Sequence, residues 1–174
     1  SQEVAAEIQA RLGLNRPFVM YTGGMDHRKN VPGLIKAYAA LPPELKDQHQ
    51  LAIVGKLSPT QIGDTRRLAQ ECGLADESLV LTGFVSDADL LTLYRLCKLF
   101  VFPSWHEGFG LPLLEAMSCG KAALAGNTSA MPEVIGTPQA LFDPNNPESI
   151  ASKMAEVLVN DDFRRYLETH ALAH

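Results

Sequence analysis

The amino-acid sequence predicts an α/β fold, a doubly wound parallel sheet of about six strands with helices on both faces. Two observations carry this expectation. Six short, nearly continuous apolar runs alternate with segments of helical character along the chain. Strands without in–out alternation belong to a sheet covered on both sides. The glycines and charged residues gather just after those runs, at Gly23-Gly24, Gly55-Lys56, Gly83, 103–110 and 126–129, where an open parallel sheet carries its ligand loops.

In chain order, a helix over about 3–12 comes first and reads as an extension of a preceding domain. The first strand begins at Phe18 and runs through VMYTG. Asn30 can cap the next helix, which carries Pro32 in its first turn and covers 31–41 before Pro42-Pro43. LAIVG at 51–55 is the second strand, and Ser58 with Pro59 opens a helix that runs to Cys72, with Gly73 as its stop. LVLTG at 79–83 follows, then a helix to about Cys97 whose Ser86 and Asp89 resemble a capping box. KLFVFP at 98–103 and KAALAG at 121–126 are strands flanking a helix that opens at Pro112 and ends at Gly120. Met131-Pro132 starts a short helix, ALFD at 140–143 is a short strand, and Pro147 opens a helix to about Val159. Residues 161–174 read as the start of something further.

At 174 residues the chain fits one domain spanning 1–174 and can bury a real core. Hydrophobic residues make up 46% and charged ones 20%, which excludes disorder. The net charge of −5 and scattered Lys and Arg offer no basic stripe for nucleic acid. No apolar run reaches the roughly 20 residues of a membrane span, and the N-terminus has no signal-peptide pattern. Cys72, Cys97 and Cys119 are too widely spaced for a metal or redox motif, so they read as buried free thiols suited to a reducing cytoplasm. The five histidines do not cluster with carboxylates, and no metal is expected. Asp87-Ala88-Asp89 spells a metal-binding pattern of other proteins, but it opens a helix, where acidic residues belong in the first turn.

The densest chemistry lies between Pro103 and Gly120. The segment leaves a strand, passes Gly108 and Gly110, and enters a helix at Pro112. Glycines let a ligand approach the backbone, and free N–H groups at the positive helix end favour phosphate. Glu107 and Glu115 flank this loop. Eight residues of continuous helix would part their backbones by about 12 Å, whereas paired glycosidase carboxyls lie about 5–10 Å apart. A shared reaction centre is therefore disfavoured. Separate roles along an extended ligand compete with a plain reading, in which Glu115 answers the helix dipole and Glu107 is a solvated loop acid. Trp105 and Tyr94 read as packing residues, and Lys56 as solvated.

The run Pro103-Ser104, Glu107-Gly108-Phe109-Gly110-Leu111, Leu113-Leu114-Glu115-Ala116-Met117 and Gly120 resembles the signature of family 4 retaining glycosyltransferases of the GT-B fold. The likeness extends in order over about 17–160. Tyr21-Thr22-Gly23-Gly24 with Arg28-Lys29-Asn30 resembles the phosphate–lysine loop, and Gly83-Phe84-Val85-Ser86 the base-side loop. Asn127-Thr128-Ser129, Pro132-Glu133-Val134 and Phe142-Asp143-Pro144 resemble late segments of the family.

This resemblance implies one Rossmann-like half of a two-domain enzyme, the C-terminal half that binds a nucleotide-sugar donor. By motif position, Glu107 meets hydroxyls of the transferred sugar, and the backbone of Gly108, Phe109, Gly110 and Leu111 meets sugar and diphosphate. Glu115 holds the ribose, Val85 lies on the base side, and Gly23, Gly24 and Lys29 form the diphosphate loop. Lys29, with Arg28, neutralises the leaving group as charge builds on it. One departure stands out: many relatives carry an arginine where this chain has Gly24. Arg28, Lys56 or the Gly24 backbone then takes its place.

Glycine at that position, together with Asn127-Thr128-Ser129, is most similar to bacterial mannosyltransferases of polysaccharide assembly, which points to GDP-mannose. The implied partners are that donor and a saccharide or lipid-linked acceptor held by an N-terminal domain. No cofactor is implied beyond the nucleotide sugar. The implied location is cytoplasmic, peripheral at the inner membrane face through the other domain. Competing functions are a nucleotide-sugar epimerase of the same architecture and a non-catalytic nucleotide-sugar-binding module. A nicotinamide-dependent dehydrogenase is disfavoured, because no G-x-G-x-x-G follows the first strand.

Overall fold

Strand formation follows the apolar runs. In a computed structural model describing residues 1–174, β1 (Phe18–Thr22), β2 (Gln50–Val54), β3 (Leu79–Leu81), β4 (Leu99–Phe102), β5 (Ala123–Gly126) and β6 (Leu141–Phe142) form one sheet. All five pairings are parallel, in the order β3-β2-β1-β4-β5-β6. The chain starts in the middle of the sheet, builds outward to β3, then crosses back to lay β4 beside β1, with Val19 opposite Leu99 and Met20 opposite Phe100. At that reversal the loops leaving the two central strands turn to opposite sides, and a crevice opens at their carboxyl ends.

The helices are α1 (Gln2–Leu12), α2 (Val31–Ala39), α3 (Pro43–Gln48), α4 (Pro59–Glu71), α5 (Asp87–Leu96), α6 (Leu111–Ser118), α7 (Met131–Ile135), α8 (Pro147–Val159) and α9 (Asp161–Ala173). Several end where local chemistry says they should. Ser58 and Gln61 form a reciprocal capping box on α4, and the Ser86 hydroxyl accepts from the Asp89 N–H at the start of α5.

Two expectations need correction. Pro42-Pro43 does not merely stop α2. Pro43 sits in the first turn of α3, where its fixed φ and missing N–H suit a helix start. Asn30 does not cap α2 with its side chain; its backbone is left-handed, at φ 57°, and its amide points elsewhere. The terminal helices also pack on this sheet. Ile8 of α1 is buried, Arg11 pairs with Asp89 of α5, and α9 buries Leu167 against the α6–α8 side.

One contiguous core of 45 buried residues fills both faces of the sheet. Within it Tyr94, Phe100, Phe102 and Tyr21 form a row of rings, with successive centroids 5.7, 6.1 and 6.2 Å apart. At the opposite end of the strands, the Gln50 amide donates to Gly13 O and Glu77 O and accepts from the N–H groups of Asn15 and Arg16. Beside it, buried His49 shares its Nδ1 hydrogen bond with Leu45 O at 2.8 Å, and Lys98 Nζ lies 3.3 Å from its Nε2.

Candidate nucleotide-sugar site

The crevice between the ends of β1 and β4 is built from three loops. After β1 the chain turns at Gly23, whose φ is +146°. A Cβ there would stand 2.8 Å from the Tyr21 hydroxyl, which donates to Gly24 O at 2.6 Å. A single 3₁₀ turn over His27–Lys29 and the left-handed Asn30 then swing the Lys29 side chain inward. Lys29 Nζ lies 2.7 Å from Glu107 Oε2, with side chains only 11% and 13% exposed, and 5.7 Å from the centre of the Phe102 ring. A lysine so nearly dry needs a counter-charge, and Glu107 supplies it from the loop after β4.

Asn30 holds that arrangement. Its buried amide donates to Pro103 O at 3.0 Å and to Pro144 O at 2.8 Å, tying the loops after β1, β4 and β6 together. Trp105 adds two more ties: its backbone N–H donates to Arg28 O at 2.8 Å and its indole to Pro144 O at 3.2 Å. Gly33, inside α2, makes room for this clamp, since a Cβ would run into the Asn30 side chain. Glycine inside a helix costs about 1 kcal/mol relative to alanine, so its presence there is a signal that something presses against it.

From Glu107 the chain passes the open residues Gly108 and Phe109, the latter 77% exposed, to Gly110. Gly110 caps α6 in the left-handed conformation, at φ +66°, and leaves the first N–H groups of α6 without a side-chain cap. One turn on, Glu115 stands beside α5, where the hydroxyl of Tyr94 donates to its Oε2 at 2.8 Å. Burial, the hydrogen bond to Glu115 and the Glu115 charge all raise the Tyr94 pKa far above the ordinary phenol value, so it stays a donor. Beyond Glu115 an open groove of about 730 Å³ runs between α5 and α6, lined by Leu90, Leu91, Leu111 and Leu114 among others.

The structure thus brings Lys29 and Glu107 together as a pair, with Gly24 against the Lys29 side chain; Gly23, Gly108, Phe109 and Gly110 lie on the loops that carry the pair, and Leu111 and Glu115 border the α5–α6 groove. Three other candidates stand apart from that pair. The Arg28 guanidinium, 58% exposed, pairs with Asp26 at 3.2 Å, and only its carbonyl joins the clamp. Lys56 is exposed and has no ion-pair partner, while Val85 is half-buried against the core. Asp89 pairs with Arg11, and no three His, Cys, Asp or Glu side chains converge on a point. Of the cysteines, Cys97 is buried and its thiol is pushed up to about 12 by burial, whereas Cys72 and Cys119 are only half-buried. Sequence reasoning missed the clamp role of Asn30 and the polar contacts of Tyr94 and Trp105.

The sheet reverses between two strands, with a cation, an opposed glutamate and a helix N-terminus at the reversal, which is where open α/β sheets carry their ligand loops. The chain belongs to the family of glycosyl transferases group 1, whose pattern matches residues 5–173. It is similar to the serotype-specific mannosyltransferase WbdA of Escherichia coli, with 43% identity over 173 residues, 99% of this chain and 21% of that protein. It is also similar to O-antigen chain mannosyltransferase B of Escherichia coli, 36% identical over 156 residues, 90% of this chain and 40% of that protein. The chain therefore spans about a fifth of the length of the first of these relatives and two fifths of the second. Among solved structures, HepE of Anabaena in complex with UDP and glucose superposes with a TM-score of 0.85 and 22% identity, over 99% of this chain and 47% of that one. The expected Rossmann-like α/β fold of GT-B glycosyltransferases is borne out. No helix is long and apolar enough to cross a membrane.

Proposed function

We propose that this domain binds a nucleotide-sugar donor, GDP-mannose in the favoured form, for retaining transfer of a hexose to a saccharide or lipid-linked acceptor. The observation that carries the reading is the near-dry Lys29, aimed by Asn30 into the crevice ahead of the α6 N-terminus and paired there with Glu107. A diphosphate takes Lys29 and the free N–H groups of α6, so its charge is met without a divalent metal. Glu107 then turns to hydroxyls of the transferred sugar, and Glu115 accepts from the ribose hydroxyls. Lys56, exposed and unpaired, is freer than the Asp26-bound Arg28 to supply a second cation.

The mannosyl assignment is supported by the names of the two Escherichia coli relatives, and the donor class by the UDP and glucose of HepE. Because the chain covers 47% of HepE, the acceptor wall belongs in this reading to an N-terminal domain. A cytoplasmic location, peripheral at the inner membrane face through that domain, goes with it. Transfer needs both reactants held in near-attack geometry with water excluded, so the 174-residue chain alone transfers no sugar. The test is calorimetric titration of the chain with GDP, UDP, ADP and their sugars, with and without EDTA. Millimolar-or-better binding that EDTA leaves unchanged is expected. Absence of binding at millimolar nucleotide, or its loss with EDTA, overturns the proposal.

A further inference from the structure

We infer that Tyr94 is a positioning residue for ribose recognition, acting through Glu115; the inference rests on the reading that Glu115 meets the ribose. Glu115 has no ion-pair partner in the chain, and its single side-chain hydrogen bond is the one Tyr94 donates to Oε2 at 2.8 Å. A carboxylate free of cations keeps its lone pairs for hydroxyl donors. A glutamate side chain on an exposed helix face would otherwise sample several rotamers, and binding would have to freeze them. Tyr94 removes that freedom beforehand.

Tyr94 can hold Glu115 because it is itself held. It is 2% exposed, it sits on α5 facing α6, and its ring packs at 5.7 Å on Phe100, which is fully buried in β4. The phenol carries only one hydrogen to donate, and that hydrogen is spent on Oε2. Oε1 is left without a protein partner in a carboxylate that borders the open α5–α6 groove. Preorganisation of this kind affects the contact Glu115 makes and leaves the Lys29 end of the site untouched.

The experiment compares nucleoside diphosphates with their 2′,3′-dideoxy counterparts, using GDP, UDP and ADP and following the tightest binder by calorimetry. Wild type, Tyr94→Phe and Glu115→Ala chains are each measured, with thermal unfolding recorded in parallel. Loss of a charge-assisted contact reduces binding by about tenfold or more. Wild type is therefore expected to prefer the ribose form by that factor, Glu115→Ala to abolish the preference, and Tyr94→Phe to lower it about fivefold with unchanged affinity for the dideoxy form. A purely structural tyrosine would weaken both ligands equally. If Glu115→Ala erases the preference while Tyr94→Phe retains it in full, or weakens both ligands equally, the inference is overturned. If Glu115→Ala leaves the preference intact, the ribose reading falls and takes the Tyr94 inference with it.

Discussion

Replacing Glu107 by glutamine should tighten nucleoside diphosphate binding while weakening the unliganded fold. In the free chain Lys29 Nζ and Glu107 Oε2 are 2.7 Å apart, with about a tenth of each side chain exposed. An arriving diphosphate has to take Lys29 from that carboxylate, so its gain is partly cancelled by the pair it breaks. A charge-assisted hydrogen bond in such surroundings nets about 1.5–3 kcal/mol. Glutamine keeps the size and one acceptor oxygen, so about half of that is recovered, roughly 0.8–1.5 kcal/mol or about four- to twelvefold in Kd. The same half is missing from the unliganded variant, whose Tm should fall by about 2–6 °C for a chain of this size. Saturating ligand should close that gap, since both states then present Lys29 to phosphate. Calorimetry with GDP and thermal unfolding with and without millimolar GDP measure both effects. Unchanged or weaker GDP binding, or a Tm deficit that persists at saturation, would refute the reasoning.

Four further outcomes follow from particular contacts. Gly24→Arg should strengthen diphosphate binding by about three- to tenfold, within the value of one charge-assisted contact, because a Cβ there meets nothing closer than 3.4 Å and φ is unstrained; titration with GDP against guanosine checks that the gain depends on phosphate. Asn30→Ala should cost about 2–4 kcal/mol in denaturant unfolding, since it strands the Pro103 carbonyl, leaves Pro144 O with the Trp105 indole alone, and puts alanine in a left-handed conformation. Gly33→Ala should destabilise the wild type by displacing Asn30, yet stabilise the Asn30→Ala background by up to about 1 kcal/mol, a sign reversal that a double-mutant cycle reads directly. Stability should also fall as pH drops below about 6.5. Burial, and to a lesser degree the Lys98 charge, hold the His49 pKa below its ordinary value, so the unfolded chain takes up a proton that the folded one refuses. His49→Gln should flatten that slope in urea unfolding between pH 7 and pH 5; an unchanged slope would remove His49 as its source.

Much of the fold was legible because its signals are local. The six strands fall on the apolar runs at Phe18, Leu51, Leu79, Leu99, Ala123 and Leu141, with no boundary shifted by more than two residues. Ser58 and Ser86 cap the helices they precede. The loop residues Gly23, Lys29, Glu107 and Gly110 were also legible, as motif positions after strands. Asn30 was not, because an asparagine before a helical run has two local options and the reading chose the cap. The left-handed alternative is favoured only when carbonyls of remote loops wait for its amide.

The amino-acid sequence by itself determined the alternation of elements, the continuous burial of the strands and the type of ligand loop after each one. These depend on residue periodicity and on capping within a few positions. Tertiary structure alone decided who meets whom. Lys29 finds Glu107 78 residues away, Asn30 finds Pro103 and Pro144 at separations of 73 and 114, and Tyr94 finds Glu115 across two helices. Those meetings follow from strand order and register, which place β4 rather than β3 beside β1 and turn the loops after β1, β4 and β6 toward one crevice. Local periodicity carries no record of that order, because hydrogen-bond partners brought together by packing need not be near in the chain.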